Sequence, residues 1–137
     1  MNRILVDTNV VLDLLGKRKS FLKEAQELFT LGDKGKVKLF VSALTFANTY
    51  YILSQQLKVS SARKVLRQFK VLVEVVPMDD KVIELALDSE FKDFEDAIQY
   101  YSAIENGVRI IITRNQKDFK HSKIPVLSAK EYLGMKG

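Results

Sequence analysis

The chain has 137 residues, of which 47% are apolar and 28% charged, and it carries a net charge of +5. That length and balance describe one soluble globular domain, residues 1–137, able to bury a core without staples. The absence of cysteine excludes disulfides, thiol nucleophiles and thiolate metal sites, and a single histidine, His121 in the polar run Lys120-His121-Ser122-Lys123, excludes chemistry that needs two.

No apolar run approaches the length of about 20 residues needed to span a bilayer. The start lacks the basic-then-apolar pattern of a secretory signal. The expectation is a cytoplasmic protein with no membrane partner. The positive charge favours polyanions such as nucleic acid.

In chain order, Ile4-Leu5-Val6 reads as a short apolar strand ending in Asp7. Ligands of an open α/β sheet sit outside the carboxyl ends of its strands, which points Asp7 into that crevice. Capping of the following helix by Asp7 or Asn9 is an equally open reading. Residues 10–15 form a short helix closed by Gly16, and the basic cluster Lys17-Arg18-Lys19 follows. Ser20 opens a helix whose apolar positions Phe21, Ala25, Leu28 and Phe29 recur at helical spacing, ending at Gly32-Asp33-Lys34-Gly35.

A strand over residues 37–41 leads to a helix from Ser42 to about Leu57. Ser60 caps the next helix, which sets Ala62, Val65, Leu66 and Phe69 opposite Arg63, Lys64, Arg67 and Lys70. The β-branched run 71–76, stopped by Pro77, reads as a buried strand. Asp79 or Asp80 caps a helix over 82–87, and a further helix runs from Asp93 to Asn106 before Gly107. A strand at 109–113, a loop at 113–119, a short strand at 126–127 and a helix from Ser128 to Leu133 complete the chain. Strands separated by crossover-length helical segments call for an α/β fold: a central, mostly parallel sheet of about five strands between two helical layers.

Acids and amides gather where these strands end. Asp7 closes the first strand, and Asn48 lies two turns into the helix after the second. Asp93 and Asp96 share a helix face, and Thr113, Asn115 and Asp118 follow the fourth strand. Carboxylates brought to one edge repel one another unless a cation is present. An oxygen-only donor set suits Mg²⁺ or Mn²⁺ rather than zinc. The bland readings are an Asp93 N-cap with Asp96 at the third position, and Asx turns at Asn115 and Asp118.

Three blocks resemble the PIN domain family, metal-dependent nucleases that include the toxins of VapBC-type toxin–antitoxin pairs. They are Leu5-Val6-Asp7-Thr8-Asn9 with Leu12-Asp13, Glu95-Asp96-Ala97, and Thr113-Arg114-Asn115 with Asp118-Phe119. Ser42-Ala43-Leu44-Thr45 is similar to the opening of the family's second motif. The resemblance implies cleavage of single-stranded RNA by a water activated by Mg²⁺ or Mn²⁺. It implies Asp7 and Asp96 as metal ligands, and Asn115 and Asp118 beside them as catalytic residues. Thr8, Asn48, Asp93 and Thr113 would support them, and Arg114, Lys117 and Lys120 would meet the RNA backbone. It further implies a homodimer and a cognate antitoxin.

Asn48 stands where most of the family has Glu, and Asn115 where many have Asp. Asp93 and Asp118 are the expected replacements for the missing charge. A haloacid dehalogenase-type phosphatase wants Asp-x-Asp after its first strand, and Asp7-Thr8-Asn9 lacks that second acid. The alternative from another class is a PIN scaffold that binds RNA or a protein without cutting, a reading that Asn48 favours.

Overall fold

A computed structural model describes residues 1–136. Its centre is a five-stranded sheet in the order β3-β2-β1-β4-β5, parallel at every pairing. The strands are β1 (Asn2–Val6), β2 (Val37–Ser42), β3 (Glu74–Val76), β4 (Ile110–Ile112) and β5 (Val126–Leu127). The helices between them are α1 (Thr8–Leu15), α2 (Leu22–Asp33), α3 (Ala43–Gln56), α4 (Val59–Lys70), α5 (Asp80–Leu87), α6 (Phe94–Glu105) and α7 (Ala129–Lys136).

The run Ile4-Leu5-Val6 is wholly buried because β1 sits mid-sheet with helices on both faces. Alternation along the strands sorts the core into two layers. Ile4, Val6, Leu39, Val41 and Ile112 pack with Leu28 and Phe29 of α2, Phe69 of α4 and Tyr132 of α7. Leu5, Phe40 and Ile111 pack with Tyr100 and Ala103 of α6 on the opposite face. The expected three-layer α/β/α fold is therefore the observed one. Among the described residues no helix is long and apolar enough to cross a membrane.

Some boundaries differ from those expected. The run 71–76 is not one buried strand. Helix α4 continues to Lys70, Val71 caps it and is 84% exposed, and pairing begins only at Glu74. Because β3 is an edge strand touching β2 alone, of its three residues only Val76 is buried. Helix α4 starts at Val59 behind Lys58 rather than behind a Ser60 cap. Helix α2 follows Phe21, with no side-chain cap from Ser20. Strand β4 stops at Ile112, which leaves Thr113 just beyond it, and the following loop holds a 3-10 turn over Gln116–Phe119. The Ser128 cap is present as a reciprocal box: Glu131 N–H donates to Ser128 Oγ (3.0 Å) and Ser128 N–H to Glu131 Oε1 (2.9 Å).

Strand order places the site. From β1 the chain moves outward to β2 and β3, then returns to the other side of β1 for β4 and β5. The carboxyl ends of β1 and β4 thus flank the switch point, where open α/β sheets leave a crevice.

Candidate active site at the switch point

Asp7 occupies that crevice and is 7% exposed. Its carboxylate does both jobs the sequence left open. Oδ1 accepts from the Thr8 N–H at 2.8 Å, capping α1, while Oδ2 accepts from Thr113 Oγ at 2.8 Å across the β1–β4 pair. Thr113 is itself fixed by Asn9 Nδ2 (3.2 Å) and the Asn115 N–H (3.0 Å). Burial pushes the Asp7 carboxyl above its ordinary range; donors Thr113, Thr8 and Gln99 oppose that rise and the Asp118 charge adds to it.

Asp96 faces Asp7 from the first turn of α6, in one cleft of about 440 Å³ that Thr8, Asn48, Glu95 and Asn115 also line. Its carboxyl is pushed up to about 7 by partial burial and then by the charges of Asp7, Asp93, Asp118 and Glu95. Beyond burial, four neighbouring carboxylates oppose its ionisation, a repulsion that a bound cation would relieve. Asp93 caps α6, with Oδ1 accepting from the Asp96 N–H at 3.1 Å. Asp118, on the 3-10 turn, lines an adjoining cleft with Asp93, Lys92, Lys117, Lys120 and His121.

Not every expected residue reaches the acids. Neither Arg114 nor Lys117 lines their cleft. Arg114 turns back under α1, where Nε and a terminal nitrogen donate to the two oxygens of Asp13 at 2.7 and 3.1 Å. Its guanidinium also stacks 4.0 Å above the Phe21 ring. Asp13, 2% exposed, holds Arg18 as well at 3.6 Å. The Arg18 side chain lines the wall of the acidic cleft.

Three participants carried no role in the sequence reading. Glu95 stands beside Asn48, whose Nδ2 donates to Glu95 Oε2 at 3.1 Å. The carboxylate hydrogen-bonded to the uncharged position 48 is Glu95; Asp93 and Asp118 do not line this cleft, yet their charges act on Asp96 ahead of that of Glu95. Gln99, one turn after Asp96, is 2% exposed and donates to Asp7. A polar residue amid Ala97, Ile98, Tyr100 and Ala103 on a buried helix was the available signal. Tyr51, 64% exposed, lines the cleft from α3.

The donors fit a hard divalent cation. Asp7 and Asp96 offer carboxylate oxygens to one cleft, and the charges of Asp93, Asp118 and Glu95 act on Asp96, with Arg18 the one cation among the cleft's lining residues. Among the described residues no three acidic or imidazole side chains converge on one point. In general Mg²⁺ takes only one or two protein carboxylates and keeps several waters.

A three-layer α/β/α fold with paired acids at its switch point defines the class, an α/β domain with an acidic crevice. The chain belongs to the PIN domain family, whose model matches residues 3–117. It is similar to Ribonuclease VapC1 of Aquifex aeolicus, 28% identical over 135 residues, covering 95% of this chain and 92% of that protein. Its fold is similar to that of DNA-bound VapBC from Salmonella typhimurium, with TM-score 0.72, 16% identity and coverage of 94% and 99% of the two chains. It is also similar to a toxin–antitoxin complex from Klebsiella pneumoniae, with TM-score 0.68, 24% identity and coverage of 92% and 97%.

Proposed function

We propose that this PIN domain is a VapC-like endoribonuclease, the toxin of a toxin–antitoxin pair, which cleaves single-stranded RNA with Mg²⁺ or Mn²⁺. The observation that carries the reading is that Asp7 and Asp96 line one cleft at the switch point. Similarity to a ribonuclease of nearly the same length supports the activity, and similarity to toxin–antitoxin complexes supports an antitoxin partner.

Asp7 and Asp96 would hold the cation. Bound there, it supplies Lewis-acid polarisation of the phosphodiester and a water of lowered pKa. The chain's own groups do the rest. Thr113 and the Thr8 N–H keep the Asp7 carboxylate in one orientation. Glu95, tethered by Asn48, contributes the charge that position 48 lacks. Lys92, Lys117 and Lys120 rim the adjoining cleft and attract the RNA backbone. Tyr51 offers an exposed ring on which an unpaired base stacks, and that requirement selects single strands.

The test incubates purified, partner-free protein with a panel of structured RNAs, with and without chelator, alongside Asp7→Asn and Asp96→Asn variants. Cleavage is expected only with divalent metal and intact acids. Cutting that survives both substitutions refutes the assignment. RNA binding without cutting at every metal concentration would instead support the inactive scaffold that Asn48 favours.

A further inference from the structure

Gln99 is anchored on α6, yet its side chain reaches the residues just after β1 and the first turn of α3. Nε2 donates to Asp7 Oδ1 at 3.0 Å and to Thr45 Oγ at 2.9 Å, with Thr8 Oγ at 3.4 Å. Thr45 lies 3.0 Å from Thr8 Oγ and 3.3 Å from Ser42 Oγ. One amide therefore links the end of β1, the first turn of α3 and α6. An ionised carboxylate only accepts, so the NH₂ end must face Asp7 and the carbonyl end must turn away.

That carbonyl has no partner. Gln99 Oε1 is fully buried and unbonded. An unsatisfied buried acceptor costs stability, and an apolar side chain of similar shape would avoid that cost. The residue is therefore poorly explained as core packing. What it supplies is the donor end. Thr113 grips Asp7 Oδ2, and Gln99 joins the Thr8 N–H on Oδ1, so each oxygen has a side-chain donor from a different element.

We propose that Gln99 is a positioning residue of the nuclease site, orienting Asp7 toward the bound cation at a cost in stability. The inference rests on the metal-dependent nuclease reading above. Partners one shell out from a metal typically change affinity or activity by about 10–100-fold when removed.

The experiment compares wild type, Gln99→Met and Asp7→Asn by Mn²⁺ titration calorimetry, thermal unfolding in chelator, and RNA cleavage. Gln99→Met is expected to remain folded, as thermal unfolding checks, while its Mn²⁺ affinity and kcat fall about tenfold or more. A residue that merely packs the core would show the reverse, a lower unfolding temperature with metal affinity unchanged, and that result overturns the proposal. Should the methionine variant fail to fold, wild-type protein labelled with ¹⁵N-glutamine decides. The Gln99 NH₂ pair shifts on Mg²⁺ addition and stays still in Asp7→Asn, whereas a pair unmoved by saturating Mg²⁺ overturns the inference. Wild type that neither binds Mn²⁺ nor cleaves RNA removes the nuclease reading itself, an outcome distinct from a failure confined to Gln99.

Discussion

Replacing Asp13 with Asn tests whether Arg114 is a structural cation. Asp13 is 2% exposed and takes both arms of an Arg114 fork at 2.7 and 3.1 Å, with Arg18 at 3.6 Å. Asp13→Asn keeps the shape, removes the charge and turns an NH₂ group toward guanidinium donors. Removing one partner of a fully buried pair costs about 3–5 kcal/mol. The Arg114 side chain is 28% exposed and keeps its Phe21 contact, so partial rehydration brings the loss to about 2–3 kcal/mol. For a chain of this size that is a fall in Tm of about 6–10 °C. Urea unfolding followed by circular dichroism should show the midpoint falling with its slope unchanged.

A double-mutant cycle separates the possibilities further. Asp13→Leu with Arg114→Met should recover much of what either single change loses, since an apolar replacement leaves no unpaired buried charge. If the two losses simply add, the coupling argued from the fork geometry is wrong. The double variant should also keep its RNA cleavage. A stable double variant without activity would return Arg114 to the RNA contact that its place in the motif suggested.

The metal-free protein should lose stability as pH rises from about 4 to about 7. The Asp96 carboxyl is pushed up to about 7 in the folded state, so folding favours its protonated form. That contribution is complete below the unfolded value and gone above the folded one. Because Asp96 is only half-buried, solvent screening limits the effect to about 1–2 kcal/mol. Chemical denaturation at pH 5 and pH 8 in chelator checks it: Asp96→Asn should flatten the difference, and stability that rises across this window refutes the electrostatic account. Glu95→Gln should raise the Mn²⁺ concentration for half-maximal cleavage several-fold, and Asn48→Leu should do so in part by releasing Glu95. Equal metal requirement in all three proteins would remove Glu95 from the site. Tyr51→Ala should raise KM for a single-stranded substrate by about 1–3 kcal/mol of lost stacking, with kcat retained. An unchanged KM rules out the stacking role.

The sheet was legible because its signals are local. Ile4-Leu5-Val6 is an apolar run too short for a helix, and Asp79, Asp93 and Ser128 each stand just before apolar residues at helical spacing, as caps do. Intervals of crossover length between strands left only parallel pairing. Asp7 and Asp96 followed from the same logic, since each is set by its distance from a strand or helix end. The run 71–76 misled because its valines favour a strand by propensity, whereas Val71 caps α4 and pairing begins only at Glu74. Only the packing of α4 decides where pairing begins.

Partners depended on strand order, which no local window contains. Arg114 and Asp13 are 101 residues apart, and Gln99 and Asp7 are 92 apart. Arg114 meets Asp13 because β4 lies beside β1, and Gln99 meets Asp7 because α6 packs across the sheet face onto β1 and β2. The sequence by itself determined which residue types crowd the carboxyl edge of a parallel sheet. The tertiary structure alone decided which acid takes Arg114, which carboxylate stands by Asn48 and which amide grips Asp7. Local spacing encodes where a side chain leaves its own element; what it meets is set by elements brought together from across the chain.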